Sequence, residues 1–400
     1  MLSGVVKAMQ QADLGSVEFN VDRGLPERYT LADLTQDFLE GNILPQLDAL
    51  SALSLCLRNT ERIDQESQDQ ASIQHLSSQT LGLLSHSSGS LLNIDPASAE
   101  QALDVLKILV LGFSLVLGDQ NLIVVAAYTD CREAWTTVNA ELYAREILGH
   151  SMDSDQKHAF INSAVLERFI RPIFSRTCSS RITSTGRKAH FADDSQDGFA
   201  SNVISVTDDA RLWKTTQTHA VTVFSWAVEQ CDDALAGKSW PMFTPVLLAL
   251  LDDPDTKFKA KGLSVLSDFL AKCPAKVLVE TGLGSIFEQS LFPCLLSLPT
   301  LTPEKESLQL LGPAYSAIIQ LAKMQFPEAK ARDKKNKLLT RLLREGILPG
   351  YWQSSEYVEI VELLARQTIS IVNELGFFAT THLKAIPQVF SVITQLLTFA

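Results

Sequence analysis

The sequence lacks the residue patterns that mark metal, redox and nucleotide sites. None of its six cysteines forms a CxxC pair, and no two of its seven histidines lie three to five residues apart, as local zinc sites require. The phosphate-binding P-loop, the serine nucleophile elbow and the zinc-protease motif are missing as well. Gly282-Leu283-Gly284 begins a dinucleotide motif, but Phe287 occupies the position of its third glycine. We therefore predict no metal, no cofactor and no enzymatic activity.

Basic residues are in the minority, with 34 lysines and arginines against 46 aspartates and glutamates and a net charge of −12. A protein that mainly grips phosphate backbones presents a basic face, so the composition argues against direct nucleic-acid binding. A basic helix near residue 340 is the local exception. We interpret it as a solvated helix face, with a charged partner surface or an import signal as the alternative. Its cationic residues are Lys330, Arg332, Lys334, Lys335, Lys337, Arg341 and Arg344.

Long uninterrupted apolar runs are scarce. The most apolar stretch in this reading, residues 103–117, contains Asp104 and Lys107, so it is too short and too interrupted to span a bilayer. The N-terminus has no basic segment followed by an apolar core, the mark of a signal peptide. The scattered cysteines are typical of a reducing compartment. We expect a cytosolic protein with no membrane partner, and leave the nucleus open as a second location.

Strand-like alternation and hairpin turns are rare, and nearly every apolar segment has the period of a helix. We divide the chain into an N-terminal helical region, residues 1–177, a mobile polar loop, residues 178–207, and C-terminal helical repeats, residues 208–400. The loop is assigned because its small and charged residues cannot bury enough apolar surface to order themselves.

The second half contains the clearest pattern. A leucine-rich helix is predicted to start at Thr244-Pro245 and to stop at Asp252-Asp253-Pro254-Asp255, where an amphipathic helix begins. We interpret the carboxylates of Asp252 and Asp253 as helix caps rather than as a metal or acid–base pair. The unit recurs, since Pro293 follows Pro245 by 48 positions and Pro387 lies near two further periods. Two-helix repeats of about this length are typical of HEAT proteins.

The predicted fold class is therefore all-α, a HEAT-like α-solenoid of antiparallel helix pairs. Its core is predicted to contain Leu247, Leu248, Leu266, Phe269, Leu295 and Leu311. The tryptophans expected in the core are Trp213, Trp226, Trp240 and Trp352. For Trp240, an exposed partner anchor is the alternative.

The residues of this region resemble a known family. The segment Ser239-Trp-Pro-Met-Phe-Thr-Pro245, its leucine run to Asp253, and Lys259-Ala-Lys-Gly262 resemble the TELO-two-interacting protein two family. Further similar segments follow in the same order at residues 281–287, 298–307, 314–315, 346–351, 371–376 and 382–384. The resemblance covers about residues 208–398.

Members of that family are the smallest subunit of the TTT (Triple-T) co-chaperone complex. The resemblance implies a non-enzymatic α-solenoid scaffold that binds the large HEAT-repeat TTT subunit and assembles with the telomere-length-regulation subunit. Through the complex it implies support for the maturation and stability of phosphatidylinositol-3-kinase-related kinases, which pass to the heat-shock chaperone machinery. Telomere maintenance and DNA-damage signalling would follow indirectly. The repeat pattern alone leaves a karyopherin-like transport adaptor as the alternative.

The sequence closes with an apolar helical segment, residues 386–399, that has no C-capping glycine. Two expectations follow: the chain is truncated, or this segment docks on a partner. The predicted partner-binding residues are Val389, Phe390, Ile393, Leu396 and Leu397.

Overall fold

The computed structural model describes residues 1–14, 25–40, 46–64, 69–85, 95–175, 212–327 and 331–382. Within these residues the protein is all-α, as the sequence predicts. The strands described there are the two-residue parallel pair β1 (Tyr29–Thr30) and β2 (Ile63–Asp64).

The chain divides into two compact units. The first comprises Met1–Ile173 with Thr207–Ala227, and the second comprises Phe174–Val206 with Val228–Ala400. The contacts thus place the described residues 212–227 with the N-terminal helices. The predicted loop, residues 178–207, lies outside the described residues, so the domain boundaries drawn from the sequence remain a prediction.

The first unit is a set of helices of unequal length. The helix Arg171–Phe174 ends at the first residue of the second unit, and the helix His219–Gln230 continues into that unit. The helices are α1 (Leu2–Leu14), α2 (Leu31–Glu40), α3 (Gln46–Arg58), α4 (Asp69–Ser85), α5 (Pro96–Gly112), α6 (Asp119–Ala126), α7 (Val138–Ser151), α8 (Ser154–Ala159), a π-helical stretch (Phe160–Ile170), α9 (Arg171–Phe174), α10 (Leu212–Thr215) and α11 (His219–Gln230).

Helix α5 lies at the centre of the first unit and packs against α3, α4 and α7. Its start is capped, because the carboxylate of Asp95 accepts a hydrogen bond from the Ser98 amide at 3.0 Å and Pro96 takes the first helical position. A helix surrounded on most sides must be apolar on most sides. This explains the unusually apolar composition of residues 103–112.

The second unit contains longer helices joined by short turns. They are α12 (Asp233–Leu251), α13 (Thr256–Lys272), α14 (Ala275–Glu280), α15 (Leu283–Leu291) with a 3-10 continuation (Phe292–Leu296), α16 (Glu304–Gln325), α17 (Arg332–Leu342) with a π-helical continuation (Leu343–Ile347), α18 (Leu348–Gln353), α19 (Val358–Leu375) and a final 3-10 segment (Gly376–His382). All six leucine and phenylalanine residues predicted for the core are at most 2% exposed.

The predicted helix start at Thr244-Pro245 is wrong. Helix α12 begins after Asp232, whose carboxylate accepts a hydrogen bond from the Leu235 amide at 2.8 Å, and both Pro241 and Pro245 lie inside it. Proline often marks a first turn because its missing N–H is not needed there, whereas inside a helix it costs about 3 kcal/mol. Here the helix continues because its apolar side chains are buried by tertiary packing.

Helix α12 is also long and apolar enough, by length and composition, to cross a membrane. In the most apolar 18 residues of this helix, 56% is buried within the protein, where the helix packs against α13. Core helices of soluble proteins meet the same criteria, so this helix is weak evidence for a membrane span.

The turn between α12 and α13 confirms the capping interpretation in part. Asp252 ends α12 through its backbone N–H, which donates to the Leu248 and Leu250 carbonyls, and the buried carboxylate of Asp253 accepts a hydrogen bond from the Asp255 amide at 2.8 Å. Asp255 then accepts from the Lys257 amide at 2.9 Å and caps the start of α13. The carboxylates order this turn by satisfying backbone donors.

Contacts within the second unit bring the start of one helix to the end of the next. A Cβ atom placed on Gly237, near the start of α12, would lie 3.1 Å from Pro274, which follows α13. One placed on Gly262 would lie 2.8 Å from the Cβ of Leu250, near the end of α12. Gly262 therefore allows the two helix backbones to approach closely.

Helix α16 contacts both α13 and α19, at a nearly constant sequence offset. The Thr256 hydroxyl donates to Glu306 at 2.7 Å across 50 positions, and the Gln320 amide donates to the Ser267 carbonyl at 2.9 Å across 53 positions. Lys323 then pairs at 2.8 Å with Glu374, which lies 51 positions further along. The spacing of these contacts is thus 50–53 residues rather than the predicted 47–48. Of the prolines used as markers, Pro245 lies inside a helix rather than at its start, and Pro387 lies outside the described residues.

Candidate partner-binding surfaces

The predicted partner-binding residues lie outside the described residues, which end at residue 382. They are Val389, Phe390, Ile393, Leu396 and Leu397. Their role therefore stays a prediction, and the described surface is considered below.

Reactive groups are few in the described part of the chain. It contains no group of three or more histidine, cysteine, aspartate or glutamate residues that could hold a metal ion. Burial raises the pKa of the Cys56 and Cys273 thiols to about 12 and that of Cys231 and Cys294 to about 11. Thiols with such pKa values are poor nucleophiles at neutral pH. These four cysteines therefore act as small apolar core residues.

Exposed apolar side chains collect at two turns of the second unit. Leu296 and Leu301 lie before α16 and are 59% and 85% exposed, and Trp352 and Val358 lie at the turn into α19 and are 68% and 63% exposed. We call these four residues the turn residues. Large apolar side chains held in water at element ends are typical of protein interfaces.

The expectation that Trp352 belongs to the core is wrong. Its neighbour Tyr351 is buried against the unit, so the next position of the short helix α18 points to solvent. Trp213 and Trp226 are buried as expected, and Trp240 is half-buried. Composition could not separate these cases, because burial of a tryptophan depends on which face of its helix finds a neighbour.

A stripe of cations follows one side of α17. Lys334, Lys337, Arg341 and Arg344 are exposed and lie three or four residues apart, which places them on one helix face. We call these four residues the basic stripe. The opposite side, including Leu339 and Leu342, is buried. The structure therefore agrees with a solvated helix face, as the sequence predicts, and gives that face a defined geometry.

Arg341 of the basic stripe and the nearby Glu374 are each held by specific contacts. The Arg341 guanidinium lies 4.0 Å from the centre of the Phe292 ring and pairs with Glu345 at 2.8 Å. Burial alone would raise the pKa of Glu374, but hydrogen bonds from Lys323 and Lys335 lower it below its ordinary value. These pairs fix α16, α17 and α19 to one another by charge as well as by apolar packing.

Two clefts border the basic stripe. The larger encloses about 500 Å³ and is lined by Asp333, Asn336, Lys337, Thr340, Arg341, Arg344, Glu345 and Phe378. The smaller encloses about 270 Å³ and is lined by Glu288, Phe326, Lys334, Lys337, Leu338 and Arg341. Burial raises the pKa of Glu288, and the nearby Arg341 opposes that shift. Lys337 and Arg341 line both clefts, so the clefts lie side by side along α17.

An all-helical chain with exposed apolar turns and a basic stripe has the surfaces of a protein-interaction subunit. A family model described as the Tti2 family matches residues 121–399, more than half of the sequence. The chain therefore belongs to the Tti2 family, whose members are non-catalytic subunits of the TTT complex. Neither the curated proteins nor the solved structures contain a match to it.

The family match confirms the resemblance drawn from the sequence and extends it. It begins at residue 121, inside α6, whereas the similar segments found by reading the sequence begin near residue 208. Helices α7 and α8 therefore belong to the family region too. Sequence reading missed them because their apolar periodicity is common to many helical proteins and carries no distinctive motif.

Proposed function

We propose that this chain is a non-enzymatic scaffold subunit of the TTT co-chaperone complex. The observation that carries the proposal is the Tti2 family match over residues 121–399. In this role the chain binds the large HEAT-repeat subunit and assembles with the telomere-length-regulation subunit. The complex supports the maturation and stability of phosphatidylinositol-3-kinase-related kinases and their transfer to the heat-shock chaperone machinery. We propose that the chain performs this role in the cytosol, with the nucleus as a second location.

We further propose that the second unit is a HEAT-like α-solenoid of antiparallel helix pairs. The offset of 50–53 residues between contacting positions of α13, α16 and α19 supports it. The contacts of Gly237 with Pro274 and of Gly262 with Leu250 support an antiparallel arrangement of α12 and α13. A solenoid presents extended surfaces, which suits a subunit that holds other large helical proteins.

Two surfaces are candidates for binding the large subunit. The first is the apolar segment predicted from the sequence, with Phe390 and Ile393 near its centre. The second is formed by the turn residues, with Trp352 as its largest member. Tryptophan is enriched among the residues that dominate binding energies, so Trp352 is the side chain to remove first.

The test is co-purification of the full-length chain with the large TTT subunit. Phe390→Asp combined with Ile393→Asp, or Trp352→Asp alone, should abolish co-purification while the helical circular dichroism signal is retained. Ile369→Asp is the matched control, because Ile369 is 53% exposed on α19, away from the turns, and its change should leave binding intact. Failure of the unaltered chain to co-purify with this subunit would overturn the proposed function.

The cellular consequence is tested by complementation. Cells depleted of this protein should lose phosphatidylinositol-3-kinase-related kinases at the protein level and recover them with the unaltered chain. They should not recover with a variant that fails to bind the large subunit. Recovery by a non-binding variant would contradict a role exercised through the complex.

A further inference from the structure

The larger cleft beside α17 contains a buried polar group that has no hydrogen-bond partner among the described residues. Asn336 is 7% exposed and lines the cleft, yet its Nδ2 atom makes no hydrogen bond to any residue that the structure describes. A buried donor left unsatisfied costs about 1–3 kcal/mol, so buried donors nearly always have an acceptor. The Asn336 amide therefore indicates an acceptor that enters the cleft.

The charges around Asn336 favour a negatively charged acceptor. Lys337 and Arg344 line the same cleft and have no ion-pair partner among the described residues. Arg341 already pairs with Glu345, which removes one of the two carboxylates in the lining and leaves Asp333 as the other. The lining thus offers more free cations than free anions, although the whole chain carries a net charge of −12.

The clefts also offer apolar walls. Phe378 is 41% exposed and lines the larger cleft, and the smaller cleft adds Phe326 and Leu338. The clefts share Lys337 and Arg341, so each of them combines cationic and apolar side chains. A single inorganic ion would use one position, whereas an extended chain with acidic and apolar side chains would use them all.

We propose that these clefts bind an acidic segment of a partner protein. One carboxylate of that segment lies against Asn336, Lys337 and Arg344, and a neighbouring apolar side chain lies against Phe378. Residues 383–400 of this chain contain no aspartate or glutamate, so their side chains do not supply the carboxylate. Nucleic acid fits less well, because it needs a longer basic track than four cations mixed with three acidic residues.

The proposal is tested with the full-length chain and a fluorescently labelled ten-residue peptide of alternating glutamate and leucine, followed by anisotropy. Lys337→Glu combined with Arg344→Glu should weaken binding at least tenfold, since each lost charge-assisted hydrogen bond is expected to cost about a factor of ten or more. The control is Lys238→Glu combined with Lys305→Glu. It makes the same charge change at two exposed positions of the second unit and should leave affinity within twofold.

Three further comparisons decide the outcome. The same peptide with glutamine in place of glutamate should bind at least tenfold more weakly. Asn336→Leu should weaken the glutamate peptide while the thermal midpoint of the protein is kept. A ten-nucleotide single strand should bind less tightly than the peptide. Any of three results would overturn the proposal. The first is equal weakening by the Lys337→Glu, Arg344→Glu variant and by its control. The others are tight binding of the glutamine peptide and preference for the oligonucleotide.

This inference goes beyond the proposed function and does not depend on it. The peptide assay uses the isolated chain and no TTT subunit, and the turn residues are not altered in it. Loss of peptide binding with intact co-purification, or the reverse, would therefore separate the two proposals.

Discussion

The two units join their helices in different ways. In the first unit the contact of α3 with α5 contains a charged pair, because Arg58 lies 2.6 Å from the buried carboxylate of Asp104. In the second unit the contact of α12 with α13 contains a glycine, and a Cβ atom placed on Gly262 would lie 2.8 Å from the Cβ of Leu250. The first contact thus depends on a pair of charged side chains, and the second on close backbone approach.

This difference determines where a single substitution should matter. A polar contact that occurs once has no substitute, so its loss falls wholly on one junction. A contact made through a glycine depends on close backbone approach, which a single added atom can disturb. Three predictions test this contrast, from the largest expected effect to the smallest.

The largest effect is expected at the ion pair of the first unit between the half-exposed Arg58 and the buried carboxylate of Asp104. Arg58→Met leaves this carboxylate, which is 5% exposed, without its cation. Because Arg58 itself is 51% exposed, the expected cost is about 3 kcal/mol, the lower end of the range for fully buried pairs. Chemical denaturation measures the change in unfolding free energy. Arg28→Met is the control, because its pair with Asp64 is exposed and should contribute at most about 1 kcal/mol. Equal costs at both sites would contradict the importance of this buried contact.

A pH-dependent effect of intermediate size is expected at His219 in the first unit. Burial lowers its pKa to about 4 from an ordinary value of 6.5. Its ring stacks on that of Phe169, with the two ring centroids 5.7 Å apart. The unfolded chain therefore binds the proton more readily than the folded one. This contribution to stability is complete above pH 6.5 and falls between pH 6.5 and 4, by about 1.4 kcal/mol per pH unit.

The measurement is the unfolding free energy across that pH window. His219→Phe keeps a ring at the position but cannot titrate, so it should lose less stability than the unaltered chain as the pH falls. His75→Phe changes an exposed histidine of the same unit and should keep the original slope. Identical slopes for all three proteins would exclude a buried neutral His219.

The smallest effects, of opposite sign, are expected at two helical glycines. Gly262→Ala places a Cβ atom 2.8 Å from that of Leu250 and close to its backbone, so the second unit should lose about 1–3 kcal/mol through overpacking. Gly82→Ala, in α4 of the first unit, meets no atom within 4 Å and should gain about 0.5–1 kcal/mol from helix propensity. Stabilisation by both changes would show that α12 and α13 can separate without cost.

The sequence by itself determined the features that depend on near neighbours in the chain. The cap at Asp95-Pro96, the turn at Asp252–Asp255 and the inner face of α13 follow from hydrogen bonds and periodicities spanning a few residues. The order of its short motifs likewise resembles the family whose model matches the chain. These features were predictable because their physical cause lies within the segment itself.

Tertiary structure decided the features whose cause lies elsewhere in the chain. Pro241 remains inside a helix because distant side chains bury its neighbours, and Trp352 is exposed because only Tyr351 finds a partner. The offset between helices depends on where their backbones meet. Gly262 allows the backbones of α12 and α13 to approach closely, but a glycine in the sequence does not by itself predict that contact. In the sequence Asn336 is an ordinary helical residue. It becomes a candidate binding group only because the fold buries it in a cleft where no described residue accepts a hydrogen bond from its Nδ2 atom.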